Sequence, residues 1–215
     1  MDQQKFSIEN ILRVAKIIPS VELLDEFDAI PLMDALINGG VRVVEIALRT
    51  QASYDSLEII KKRIPDLIIG AGSVKTPDML QKAYDAGADY ATSPGNTDKL
   101  LDAVSKISLP FLPGVSNGSD IMRALEYGHT SQKFCPATAL GGVKTLKYLH
   151  GSFSEVTFCP AGGLNDDNMG DFLALSNVAC VTGSWIVRSH DTYEKKWNKV
   201  IERTKFSLEN AQRYN

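Results

Sequence analysis

Short apolar runs rich in Val, Ile and Phe recur along the chain, separated by longer stretches that mix polar and apolar residues. Short continuous runs read as strands covered on both faces, and the stretches between them as amphipathic helices. Eight strands are expected, over residues 15–18, 41–47, 67–71, 90–93, 110–113, 132–135, 157–159 and 179–182. Their starts recur roughly every 20 to 27 residues, too far apart for hairpins but right for parallel strand–helix units, whose crossovers need about a dozen residues or more. Eight such units predict an α/β fold, a single-domain (β/α)8 TIM barrel with a short N-terminal helix, occupying residues 1–215 as one unit.

The helix ends are legible as well. Segments 31–36, 79–86 and 121–127 run into Gly39-Gly40, Gly87 and Gly128, and glycine suits the left-handed position that closes a helix. Thr76 places a capping hydroxyl just before Pro77, and Asn165 and Asp166 offer capping side chains after Gly162 and Gly163. Tyr193, Trp197, Val200, Ile201, Thr204, Leu208 and Ala211 follow helical spacing and predict a final helix with its stripe in the core.

Barrel strands covered on both faces are normally apolar throughout, so a charge inside one needs a reason. Two stand out. In Val43-Val44-Glu45-Ile46-Ala47, alternation puts Val44 and Ile46 outward against helices and Glu45 inward; in Gln132-Lys133-Phe134-Cys135 it puts Phe134 outward and Lys133 inward beside Cys135. One reading is a buried ion pair without chemistry, or strand-end charges reaching solvent. The other is catalytic. A desolvated lysine has a lowered pKa and can attack a ketone to form an imine, and a neighbouring carboxylate can move the protons that the reaction requires. Lys133 and Glu45 thus fit a class I aldolase that needs no metal.

Catalytic groups in such barrels gather where strands end. Arg49, four residues past Glu45, either grips a carboxylate or is a solvated surface charge, and Gly70-Ala71-Gly72-Ser73 ends the third strand with small residues that allow a ligand close to the backbone or serve a tight turn. Gly162-Gly163 after the seventh strand and Gly183-Ser184 after the eighth occupy the two loops where barrels commonly bind phosphate through backbone N–H groups.

Composition narrows the partners. The chain has 215 residues, 44% hydrophobic and 23% charged, with 23 basic against 26 acidic side chains for a net charge of −3. The scattered basic residues give no footprint for nucleic acid, while a small anion needs only a few local donors. Cys135, Cys159 and Cys180 form no close pairs, and His129, His150 and His190 show no ligand spacing, so reduced thiols and no metal are expected. The segment 165–170 resembles a calcium loop only faintly, because Met169 falls where an oxygen ligand is needed. Neither a secretory leader nor an apolar run of about 18 residues is visible, which points to a cytoplasmic protein that does not span a membrane.

The segments GGVRVVEIALRT, GAGSV, ATSPGNT, PGVSNGSDIMRALEYG, KFCPA with GGVKTLK, FCPAGGLN and VTGSW, in that order across most of residues 15–190, resemble the 2-keto-3-deoxy-6-phosphogluconate (KDPG) and 4-hydroxy-2-oxoglutarate (KHG) aldolases. The resemblance implies a Schiff-base barrel, homotrimeric, that cleaves the phosphorylated six-carbon keto acid to pyruvate and glyceraldehyde 3-phosphate. It implies Lys133 as the imine-forming residue, Glu45 as acid and base, Arg49 and Ser73 on the pyruvate carboxylate, and Pro94 beside it. Gly162, Gly163 and Ser184 would hold the phosphate. Against the family pattern, Ser73 replaces Thr, Cys135 replaces Phe, Ala161 replaces Thr and Thr138 replaces an acidic residue, which leaves the C4 configuration and the phosphate requirement open. The galactonate epimer, a phosphate-sugar isomerase with an electrostatic lysine, and a non-catalytic phosphometabolite-binding barrel are the competing readings.

Overall fold

A computed structural model describes residues 7–214. The strands are β1 (Ile17–Val21), β2 (Val43–Ala47), β3 (Ile68–Gly72), β4 (Tyr90–Thr92), β5 (Phe111–Leu112), β6 (Gly114–Val115), β7 (Ser131–Phe134), β8 (Thr157–Pro160) and β9 (Val181–Gly183). Helix α1 (Ile8–Val14) precedes β1. Then come α2 (Ala29–Asn38), α3 (Gln51–Arg63), α4 (Pro77–Asp85), α5 (Asp98–Val104), α6 (Gly118–Glu126), α7 (Gly142–Ser152) and α8 (Met169–Leu173), and α9 (Ser189–Tyr193) and α10 (Trp197–Ala211) end the chain.

All strand pairs are parallel, in a curled six-stranded sheet of order β5-β4-β3-β2-β1-β9 and a three-stranded sheet of order β6-β7-β8. The expected fifth strand is two pieces, because Pro113 lies between β5 and β6 and has no N–H to give to a ladder. Its carbonyl still accepts from Lys133 N–H at 2.8 Å. Isolated bridges Phe158↔Val178 and Ala161↔Thr182 connect the two sheets on the other side. The first strand is also displaced: it runs through Pro19 to Val21, where the sequence pattern stops at Ile18.

Side-chain alternation sorts the interior into two cores. Val44, Ile46, Phe134 and Phe158 face the helices in the larger one, where Phe134 and Phe158 meet edge to face at 6.2 Å, a pairing that contributes about 0.5–1.5 kcal/mol. Ile18, Val43, Tyr90, Leu112, Cys159 and Cys180 face the other way, and Ile8, Ile11 and Leu12 of α1 pack against them. The short N-terminal helix therefore plugs the end of the sheet where the strands begin, leaving their C-terminal ends open.

Caps hold the open ends in place. Thr50, Thr76, Thr97 and Asn117 each accept a backbone N–H at the start of α3, α4, α5 and α6, fixing the loops that follow β2, β3, β4 and β6. Gly40, Gly87 and Gly128 close α2, α4 and α6 with φ of 102°, 85° and 83°. Asn165 Oδ1 accepts from the N–H groups of Asp167 and Asn168, whereas Asp166 turns away to accept from the Trp185 indole at 3.1 Å and the Ser207 hydroxyl. Tyr193 lies on α9, 88% exposed, and takes no part in the stripe of α10, which buries Val200, Thr204, Ser207 and Ala211.

Candidate active site

Glu45 and Lys133 meet inside the sheet. Register aligns Ser20 with Glu45 on β1–β2 and Gly114 with Lys133 on β6–β7, and from opposite walls the lysine Nζ donates to both Glu45 oxygens at 2.7 Å. The pair is 4% and 7% exposed respectively. Two hydroxyls complete it: Ser20 donates to Oε1 at 3.2 Å, and Thr92 donates to Oε2 at 2.9 Å while accepting from Nζ at 3.2 Å.

The electrostatics depart from the sequence expectation. Burial pulls the Lys133 ammonium toward neutrality, but the Glu45 charge and its hydrogen bonds outweigh it, and the pKa is raised above the ordinary lysine value. At rest the lysine is therefore a charged partner, and it becomes a nucleophile only when a proton leaves. Glu45 is the acceptor within reach. Burial lifts the Cys135 thiol despite the opposing pull of Lys133, which suits a neutral pocket wall rather than a thiolate nucleophile.

The glycines of β3 have a structural purpose that the sequence pattern does not reveal. A Cβ on Gly70 would collide with the Tyr90 ring, and one on Gly72 would sit 2.7 Å from Glu45 Oε1 and 2.8 Å from its Cγ. Both glycines thus make room for inward side chains. Gly72→Ala is expected to push the Glu45 carboxylate off Lys133 and lower kcat by about 100-fold, measured by steady-state kinetics beside a melting curve; unchanged kcat in a folded protein would show that this contact does not matter.

Above the pair opens a cavity of about 530 Å³ at the C-terminal ends of the strands, and Glu45, Arg49, Ser73, Pro94, Lys133, Gly162, Gly163 and Ser184 all line it. Arg49 stands exposed at the mouth, where its guanidinium donates to Glu22 at 3.1 Å. Ser73 adopts φ 63°, a left-handed conformation costly for a residue with a Cβ and typical of functional loops. Gly162 and Gly163 have φ of 95° and 80°, and the Thr138 hydroxyl donates to the Gly162 carbonyl at 3.2 Å. Ala161 and Cys135 form the wall between this loop and the lysine.

Several lining residues carry no signal in the sequence pattern, namely Ser20, Glu22, Thr182, Arg188, Ser189 and Thr192; Thr92, below the cavity, is a further addition. Thr92 was accessible in principle, since alternation from Tyr90 turns it inward. Ser20 lies beyond the expected end of the first strand, and nothing local marks Glu22 or the residues after Ser184.

A family model described as "Aldolase: KDPG and KHG aldolase" matches residues 8–203. The chain belongs to the KDPG and KHG aldolase family. The KHG/KDPG aldolase of Escherichia coli is 39% identical over 211 residues, 98% of this chain and 99% of that protein. The 2-dehydro-3-deoxy-phosphogluconate aldolase of Dickeya dadantii is 42% identical over 187 residues, 87% and 88% of the two chains. Among solved structures, the Legionella pneumophila KDPG aldolase, with pyruvate captured at low pH as a covalent carbinolamine, superposes with a TM-score of 0.92 at 39% identity, covering 94% of this chain and 98% of that one. The Zymomonas mobilis KDPG aldolase with 3-phosphoglycerate superposes with a TM-score of 0.88 at 33% identity, covering 97% and 96%. In this aldolase family member, Lys133 and Glu45 supply an amine and a carboxylate in contact at the cavity floor.

Proposed function

We propose that this family member is a class I aldolase that cleaves KDPG to pyruvate and glyceraldehyde 3-phosphate, and that it also accepts KHG, giving pyruvate and glyoxylate. The observation that carries the reading is the buried contact of Lys133 Nζ with both Glu45 oxygens at the base of the cavity.

The chemistry follows from that contact. Lys133 gives a proton to Glu45 and attacks C2 of the keto acid, forming a carbinolamine; loss of water leaves an iminium. A base removes the C4 hydroxyl proton, the C3–C4 bond breaks, its electrons pass into the iminium as an enamine, and the aldehyde departs. Protonation of the enamine at C3 and hydrolysis, which takes up the water released earlier, free pyruvate and the amine. Glu45, directly or through water, serves the proton transfers, and Ser20 and Thr92 hold its carboxylate while the lysine is covalently occupied. Arg49 and Ser73 take the pyruvate carboxylate with Pro94 beside it, and Gly162, Gly163 and Ser184 take the phosphate. The carbinolamine in the Legionella relative supports a route without metal, and among the described residues no group of three or more His, Cys, Asp or Glu side chains is placed to hold an ion.

The same reading covers the assembly. The bridges Phe158↔Val178 and Ala161↔Thr182 and the single proline between β5 and β6 support one closed (β/α)8 TIM barrel, the single domain expected over residues 1–215, of which residues 1–6 and 215 lie outside the described residues. We place it in the cytoplasm as a homotrimer, by likeness to the family; no helix among the described residues is long and apolar enough to cross a membrane. Borohydride added with pyruvate is expected to trap one adduct, located by mass spectrometry on Lys133. An adduct elsewhere, or none, would sink the mechanism.

A further inference from the structure

Charges around the cavity are not evenly compensated. Its lining contains two internal ion pairs, Lys133 with Glu45 at the floor and Arg49 with Glu22 at the mouth. One more cation lines it: Arg188, four residues past Ser184 on the loop between β9 and α9. Each acidic group near Arg188 on its own segment already has a partner. Asp191 is buried against Arg203, whose Nη1 donates to it at 2.7 Å, and Glu194 pairs with Lys196 and His190. Asp166, at the neighbouring loop, accepts from Trp185 and Ser207. Among the described residues lining the cavity, Arg188 is thus the cation without an acidic partner.

The backbone beneath it is held. The Arg188 carbonyl accepts from the N–H groups of Asp191 at 2.9 Å and Thr192 at 3.3 Å, Arg203 Nη1 also donates to the Ile186 carbonyl at 2.8 Å, and the Trp185 indole ties the start of the loop to Asp166. An exposed arginine on a free loop is ordinarily a solvated charge; one on an anchored loop, facing a cavity with no carboxylate left over, leaves a positive potential inside it. Ser189 and Thr192 line the same side.

We propose that Arg188 is a substrate-binding residue that grips the distal anion of the substrate, opposite the end that reacts with Lys133, and so sets the preference for a phosphate-terminated substrate. The proposal rests on the aldolase reading for the identity of the substrate, and it adds a specific side chain to the backbone donors of Gly162, Gly163 and Ser184. A guanidinium presents parallel donors to a phosphate and is worth more against a dianion than against a neutral hydroxyl. With a carboxylate already taken by Arg49, a second guanidinium at the far end matches a molecule charged at both ends.

The test uses the full-length protein and 3-phosphoglycerate as a non-reacting probe, with affinity measured by calorimetry in wild type, Arg188→Gln, Arg188→Lys and Lys147→Gln. Lys147 is exposed on α7, outside the cavity lining, and controls for net charge. Arg188→Gln is expected to weaken the probe by about 10- to 100-fold, the range for one charge-assisted contact. Arg188→Lys should recover part of that and Lys147→Gln should match wild type. The ratio of kcat/KM for KDPG over its unphosphorylated analogue should fall by a similar factor in Arg188→Gln. Equal probe affinity in wild type and Arg188→Gln, or an equal loss in Lys147→Gln, would overturn the proposal. Because calorimetry needs no turnover, a wild-type protein that fails to trap pyruvate would refute the aldolase reading, whereas the probe affinities would still decide whether Arg188 binds the anion.

Discussion

Lys133→Ala is expected to abolish the borohydride-trapped pyruvate adduct and to lower kcat by about 10⁴-fold or more, because without an imine the electrons of the breaking C–C bond have no acceptor. The substitution also has a structural cost. It strands the Glu45 carboxylate at 4% exposure with only the Ser20 and Thr92 hydroxyls as donors, and removing one partner of a buried pair costs about 3–5 kcal/mol. Loss of activity could then be confused with loss of fold. Lys133→Met combined with Glu45→Gln removes both charges and should recover most of the stability while staying inactive, as urea titration and kinetics would show. A folded Lys133→Ala protein that still turns over would reject the imine and favour a site in which the lysine acts only as a charge, as in an isomerase.

Glu45→Gln separates the two halves of the mechanism. Turnover should fall by about 10²- to 10⁴-fold, the usual contribution of a placed acid–base group, while the pyruvate adduct on Lys133 persists. The pH dependence has a definite sign. In the resting protein burial lowers the Lys133 pKa, but the Glu45 charge and hydrogen bonds raise it by more. The amide introduced by Glu45→Gln would keep the burial and remove the opposing charge, so the lysine should become neutral at a lower pH than in wild type. Adduct formation, followed by mass spectrometry as a function of pH, should reach half its maximum at a lower pH in the variant. A midpoint that stays put or moves upward would mean that Glu45 does not control the lysine.

Much of the architecture was readable because it depends on local regularities. Strand spacing, apolar runs and glycine stops recur along the whole chain, so errors at single boundaries do not change the class. Prolines caused the local departures: Pro19 makes the first strand look shorter than it is, and Pro113 divides a strand that pattern treats as continuous. Both follow from the same fact, that the missing N–H removes one hydrogen bond without forcing the chain out of extended geometry.

The site was readable where a residue type conflicts with its surroundings. A carboxylate and an ammonium inside apolar strands identify themselves, and alternation alone turns Glu45 and Lys133 inward. The sequence could not show how strongly they interact, since the sign of the lysine shift depends on a 2.7 Å contact between residues 88 positions apart outweighing burial. Nor could it show that Gly70 and Gly72 make space for Tyr90 and Glu45, that Arg49 rests on Glu22, or that Arg188 faces the cavity without an acid beside it. Sequence by itself determined the order of the elements, the inward face of the strands that carry Glu45 and Lys133, and this pair as the candidate for chemistry, because these follow from short-range period and from the cost of burying charge. Only tertiary structure decided distances, ion-pair partners and leftover charge, because those depend on which distant loops converge at one end of the sheet.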